Sequence, residues 1–215
     1  MTAARCGLYG KLPVKRDFIA LNLPDGFLAV WEDWLQSSVA ASREQLRDAW
    51  LELFLAQPIW RFWLGPQICG QAVVGAFMPS VDGVGRYFPL CVCASAGSDA
   101  APLHPASEAM NAWFAAAESA LLRALDPDFT GAPLELLSAM PDLMPLPATA
   151  KESAEASLSL LLGLELQNAL AGETWWWSLG GGNMQPRVIR LQGLPDPYKF
   201  SGFLTSQPDM SRGAI

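Results

Sequence analysis

The chain of 215 residues is poor in the groups that most catalytic chemistry needs: it has one histidine and four cysteines, and charged residues make up 16%. The single histidine, His104, sits between Leu103 and Pro105 in an expected loop. One imidazole cannot build the clusters that catalytic zinc or non-haem iron requires. No Gly-x-Ser-x-Gly elbow supplies a nucleophile for it to activate. The cysteines, Cys6, Cys69, Cys91 and Cys93, have the spacing of neither a disulfide framework nor a zinc site. Cys91 and Cys93 are one residue apart in a strand-like run, which puts both on one face of a sheet in a packing role. No metal and no cofactor is expected.

Long apolar runs are absent as well. A spanning helix needs about 20 predominantly apolar residues in a row. The densest stretch here, Leu158 to Leu166, is broken by Ser159 and Glu165 and flanked by Lys151, Glu152 and Glu155. At the N-terminus, Arg5, Lys11, Lys15, Arg16 and Asp17 are dispersed among short apolar pieces, unlike a cleaved secretion signal. A cytoplasmic protein without membrane insertion is expected. Positive charge is also scarce: 14 Lys and Arg against 21 Asp and Glu give a net charge of −7, which repels phosphate backbones. Nucleic acid is thereby disfavoured as a partner. The one local exception, Lys11, Lys15 and Arg16, reads either as a contact for a polyanion or as a solvated face.

What the chain does have is apolar bulk. Hydrophobic residues make up 51%, with nine Trp and ten Phe, far from the balance of a disordered segment. A domain of this length buries roughly 70% of the surface its unfolded form exposes, so it needs no staple. A single domain over residues 1–215 is expected. Nine Trp read as core and hairpin packing in preference to a membrane-interface belt.

Periodicity orders the elements. Arg5 to Val14 reads as a short strand broken by Gly7, Gly10 and Pro13. Phe27, Leu28, Trp31, Trp34 and Leu35 recur at helical spacing, with Asp25 at the expected N-cap. A second helix carries Leu46, Trp50, Leu53 and Phe54 and closes at Pro58. Ile59 to Leu64 and Ile68 to Met78 suit a hairpin, Pro79 to Arg86 a loop, and Tyr87 to Ser95 a strand, where Pro89 implies a bulge or an edge. Met110, Trp113, Phe114, Ala117, Leu121 and Leu125 mark a long amphipathic helix with Pro105 in its first turn. Helical pieces are predicted around 133–139 and 151–170, then strands at Thr174 to Leu179 and Arg187 to Leu191 joined through the glycines 180–182, and a short helix near Pro197 to Leu204. Two hairpins framing a block of helices predict an α+β fold: a largely antiparallel sheet of about five or six strands sandwiched with helices.

Two polar features stand out. Gly7-x-x-Gly10-Lys11 is superficially a phosphate loop, but Arg5 stands where its first Gly belongs and Leu12 where Ser or Thr would bind magnesium. The glycines instead let the backbone turn or be closely approached. Asp82 and Arg86 share the loop Ser80-Val-Asp-Gly-Val-Gly-Arg, where they either pair to shape it or meet a partner's charges. With Asp17 they are the polar residues in unusual settings, and two carboxylates without a third acid or a histidine make no metal site.

These segments form a recognisable set. Gly7-Leu-Tyr-Gly-Lys-Leu-Pro13 with Asp17-Phe18, Trp31-x-x-Trp34-Leu35, Pro58-x-Trp60-Arg61-Phe62 and Met78-Pro-Ser-Val-Asp-x-Val-Gly-Arg-Tyr-Phe-Pro-Leu90 resemble the TagF family, also called ImpM, associated with type VI secretion. The segment Thr174 to Trp177 and the closing Gly193-Leu-Pro195 extend the resemblance over almost the whole chain. It implies a cytoplasmic accessory of the bacterial injection machine, a post-translational negative regulator that acts by binding the system's forkhead-associated scaffold protein. Some relatives carry a fused phosphatase domain, and nothing in this sequence resembles it.

The resulting expectation is a non-enzymatic, protein-binding repressor of assembly. The partner surface is expected at Gly7, Gly10, Lys11, Pro13, Asp17, Asp82 and Arg86, with the two segments lying together at one end of the sheet. The alternative is a small-molecule hydrolase or anionic-ligand-binding protein using Lys11 and Arg86.

Overall fold

The computed structural model describes residues 6–95, 109–141, 143, 170–182 and 184–205. The predicted segment around 151–170, apart from Leu170, lies outside them, as do His104 and Pro105. Strands β1 (Cys6–Gly10), β2 (Ile19–Leu21), β3 (Trp60–Leu64), β4 (Val73–Met78), β5 (Leu90–Ser95), β6 (Glu173–Ser178) and β7 (Arg187–Gln192) form one sheet in the order β2-β1-β5-β4-β3-β6-β7. Every pairing is antiparallel. The sheet has seven strands rather than five or six. The extra strand is β2, three residues at the edge paired to β1 through Leu8 and Leu21, too short to show a period of two.

Helices cover both faces. On the first lie α1 (Phe27–Leu46), α2 (Trp50–Ala56), the single turn α3 (Pro66–Cys69) and the closing α5 (Ser201–Leu204); on the second lies α4 (Ala109–Ala124). Side chains alternate between the two faces along each strand. Val73 and Phe77 of β4 face α1, while Val74, Ala76 and Met78 face α4. Cys91 and Cys93 share the α1 face, as their spacing predicts, and Leu90, Val92 and Ala94 take the other. A strand buried on both sides is apolar at every position, so the run up to Met78 shows no alternation in sequence.

The first face is an aromatic layer. Trp31 of α1 stacks on Phe62 at 4.4 Å between ring centroids and on Phe27 at 5.1 Å, with Trp176 behind at 6.0 Å. Each such ring contributes roughly 2 kcal/mol by burial. Three of the indole nitrogens are tied off: Trp34 Nε1 donates to the Pro195 carbonyl (2.7 Å), Trp50 Nε1 to Ser42 Oγ (2.9 Å) and Trp176 Nε1 to Thr174 Oγ1 (2.9 Å), while Trp31 Nε1 is buried without a partner. Seven of the nine Trp are buried and Trp175 and Trp177 are half-buried, which accounts for the tryptophan content as core. Among the described residues no helix is long and apolar enough to cross a membrane.

Asp25 is not the N-cap of α1. The cap is Gly26, in a left-handed conformation (φ 74°), with no side-chain bond. A Cβ there would crowd the carbonyl of Cys69, so close approach of α3 selects glycine over a capping carboxylate. Pro89 precedes β5 and leaves the ladder intact. Its carbonyl accepts the Lys11 N–H (3.4 Å), which ties the start of β5 to the segment leaving β1.

Candidate functional site

At Gly10 the first strand ends and the chain must turn past the start of β5. Its φ of 127° belongs to glycine, and a Cβ would stand against the carbonyl of Pro89 and 2.9 Å from Leu90 Cα. Gly7 is equally constrained by space, with a Cβ there 2.8 Å from the Asn22 carbonyl oxygen. Beyond Gly10, Lys15 N–H donates to the Leu12 carbonyl (2.9 Å), closing a turn around Pro13 and Val14.

This turn is bolted to the 79–89 loop. Ser80 Oγ donates to the Lys11 carbonyl (2.7 Å), and Gly83 N–H donates to the Lys15 carbonyl (2.7 Å). The centre is Asp82. Its Oδ2 accepts from Lys11 Nζ and from Arg86 Nε (2.7 Å), while its Oδ1 accepts backbone N–H groups of Arg86 (2.8 Å) and Val84 (3.1 Å). Arg86 reaches on to the Arg16 carbonyl, and Lys11 Nζ lies 4.6 Å from the centroid of Phe18. Phe18 meets Phe88 edge-on at 4.9 Å.

The sequence brought Asp82 and Arg86 forward as a pair or as partner contacts, and the structure pairs them, adding Lys11 as a third member. Burial works to raise the Asp82 carboxyl, but the bonds from Lys11, from the Arg86 backbone and guanidinium, and from Val84 outweigh it and hold the group well below the usual carboxylate range. Asp82 is thus permanently ionised at neutral pH.

The two expected segments do lie together at one end of the sheet. Their members divide by exposure: Gly7, Gly10, Lys11 and Asp82 are buried, Pro13 is half-buried, and Asp17 and Arg86 are exposed. Gly10, Lys11 and Asp82 present no side chain to a partner and act by shaping the corner, whereas Gly7 lies away from it, paired with Cys93 and packed against Leu21 to Leu23. What the corner does present is Val14, Phe18 (45% exposed) and Val84 (54%), beside Lys15, Arg16 and Arg86. Sequence reasoning passed over these apolar tips. A valine in a Gly-flanked loop has no periodicity to say which way it points, and only the closed Asp82 turn holds Val84 outward. Four cations against two carboxylates make the corner locally positive on a chain of net charge −7.

Among the described residues, no group of three or more His, Cys, Asp or Glu is placed to hold a metal ion. Comparison with known proteins places the arrangement in context. No curated protein is a significant match. The crystal structure of PA0076 from Pseudomonas aeruginosa PAO1 is similar at 32% identity and a TM-score of 0.74, over 95% of this chain and 96% of that one. Residues 7–140, which include every element of the corner, match the family model of the TagF N-terminal domain, type VI secretion system-associated. The chain therefore belongs to the TagF N-terminal domain family of type VI secretion-associated proteins.

Proposed function

We propose that this protein is a non-enzymatic cytoplasmic accessory of the type VI secretion system that restrains its assembly by binding the system's forkhead-associated scaffold protein through the Gly10–Arg86 corner. The observation that carries the reading is the division of labour just described. Buried Lys11, Asp82 and Ser80 lock two loops together, and the locked loops hold Val14, Phe18 and Val84 outward among Lys15, Arg16 and Arg86. Apolar anchors beside arginine, held rigid before binding, are the composition and the preorganisation that favour protein–protein contact. Family membership supplies the secretion context.

The alternative of a hydrolase acting on a small anion needs Lys11 and Arg86 free to receive it. Both are engaged by Asp82, and Lys11 is buried, so an anion would have to displace a fully bonded carboxylate.

The test is direct titration of the purified scaffold protein against this protein and its Val84→Glu variant, with thermal melts of both. Val84 is exposed, so the variant should melt with the parent and bind at least about tenfold more weakly. Absence of binding by the parent, or undiminished binding by the variant, would remove the reading.

A further inference from the structure

The sheet ends differently at its two edges. β2 closes one with three residues, whereas β7 closes the other with six, Arg187–Gln192. The phase of the ladder decides what β7 shows to its open side. Gly193 N–H donates to the Gly172 carbonyl (2.8 Å), and Gly65 N–H to the Glu173 carbonyl (2.8 Å). Bonded pairs alternate along an antiparallel ladder. In the registers Thr174–Leu191, Trp176–Ile189 and Ser178–Arg187, the first bond turns the backbone of Leu191, Ile189 and Arg187 toward β6. The second turns that of Glu173, Trp175 and Trp177 toward β3, which leaves Thr174, Trp176 and Ser178 to meet β7 in the same phase. The N–H and C=O groups of Val188, Arg190 and Gln192 therefore point away from the sheet, and among the described residues no strand or loop bonds to them.

A long edge of this kind is a template for another strand unless charge, proline or a bulge blunts it. β7 contains no proline. Arg190 is drawn back onto the sheet: its Nε donates to Glu173 Oε2 (2.7 Å), and its Cζ lies 5.3 Å from the centroid of Trp175. Val188, 68% exposed, stands beside it in register with half-buried Trp177.

The same features select the occupant. Two copies of a chain with a net charge of −7 repel one another, and they meet most easily at a surface without free carboxylates. β7 has none, and Glu173 on the neighbouring strand is already matched by Arg190. The strand is also complementary to itself. About a two-fold axis at Ile189, Val188 of one copy lies opposite Arg190 of the other, and the two residues exchange both backbone bonds. Moving the axis to Arg190 would set two guanidinium groups opposite each other, which is unfavourable. In the first register Val188 packs on the aliphatic stem of Arg190, and Trp175 and Trp177 of the two copies form one apolar strip on the α4 side.

We propose that β7 is a self-association edge, at which two copies of this chain pair antiparallel about Ile189 and join their sheets into one. The Gly10–Arg86 corner lies toward the opposite edge, so the dimer presents two corners. The pairing stands whether or not the corner binds the scaffold.

Sedimentation equilibrium of the full chain between about 10 µM and about 1 mM should show the mass rising toward that of two chains. Val188→Pro removes an N–H that makes no bond within the chain, so it should melt within about 4 °C of the parent and stay monomeric throughout. Two further variants read the register. Val188→Lys faces Arg190 of the second copy and should associate about threefold or more weakly than Val188→Glu, although the lysine lowers the net negative charge that drives the copies apart. A parent that remains monomeric, as it would if this edge received a strand of another protein, overturns the proposal. A folded Val188→Pro that still dimerises overturns it as well, and so does equal association of the Lys and Glu variants. If Val188→Pro does not fold, the Lys and Glu variants decide alone.

Discussion

Asp82 shows how one carboxylate can organise a surface without belonging to it. Its two oxygens receive four donors from three residues, and its side chain is enclosed. With Asp82 buried against Lys11, Asp82→Asn leaves the ammonium without its counter-charge and should lower Tm by about 6 °C or more. Arg86→Ala removes a side chain that is 59% exposed and should cost no more than about 3 °C. Differential scanning calorimetry of the two variants separates the roles, and equal losses would show that Asp82 and Arg86 act as one unit. The importance of Asp82 and Arg86 was legible in the loop Ser80 to Arg86. The partnership with Lys11, 71 residues away, was not, because nothing local marks which lysine a carboxylate will meet.

Among the elements, β6 and β7 are held by more than their ladder. Glu173 at the start of β6 accepts from Arg190 of β7 (Nε to Oε2, 2.7 Å) and from Trp175 Nε1 (3.0 Å). The bond from Arg190 is the main cause that holds the Glu173 carboxyl below its usual value, against the opposing effect of burial. The sign follows from linkage. A carboxyl depressed in the folded chain is protonated first in the unfolded chain as pH falls, so its stabilisation is complete above about pH 5 and is lost as pH drops through the unfolded value near 4 toward the folded one. Glu173→Gln should therefore be less stable than the parent at neutral pH and lose less stability between about pH 5 and pH 3. Urea midpoints across that range check it, and parallel curves would show that Glu173 contributes no pH dependence. The elements themselves were largely readable. Long aromatic helices such as α1 and glycine-bounded strands such as β6 announce themselves by period and punctuation. β2 did not, being three residues paired only at an edge, and neither did the cap of α1, chosen by contact with Cys69 rather than by side-chain capping.

For the whole molecule, the sheet is shared by two cores. Phe62 and Phe77 face one side, and Trp63, Val74 and Val92 the other, on strands that are mutually bonded. Neither helical layer can leave without exposing strands the other depends on. Urea unfolding followed by tryptophan fluorescence and by far-ultraviolet circular dichroism should give coincident transitions, and separated midpoints would reveal two units. The amino-acid sequence by itself determined the apolar content, the order of the longer strands and helices though not β2 or α3, the α+β class and the family, because composition and period are local properties and the family's segments are contiguous. Which strands neighbour one another, which loop residues point outward at the Gly10–Arg86 corner, and that β7 is left at the open edge of the sheet were decided only by the tertiary structure. These depend on contacts between residues far apart in the chain, where position is set by packing the two layers onto one sheet and not by the identity of any neighbour in sequence.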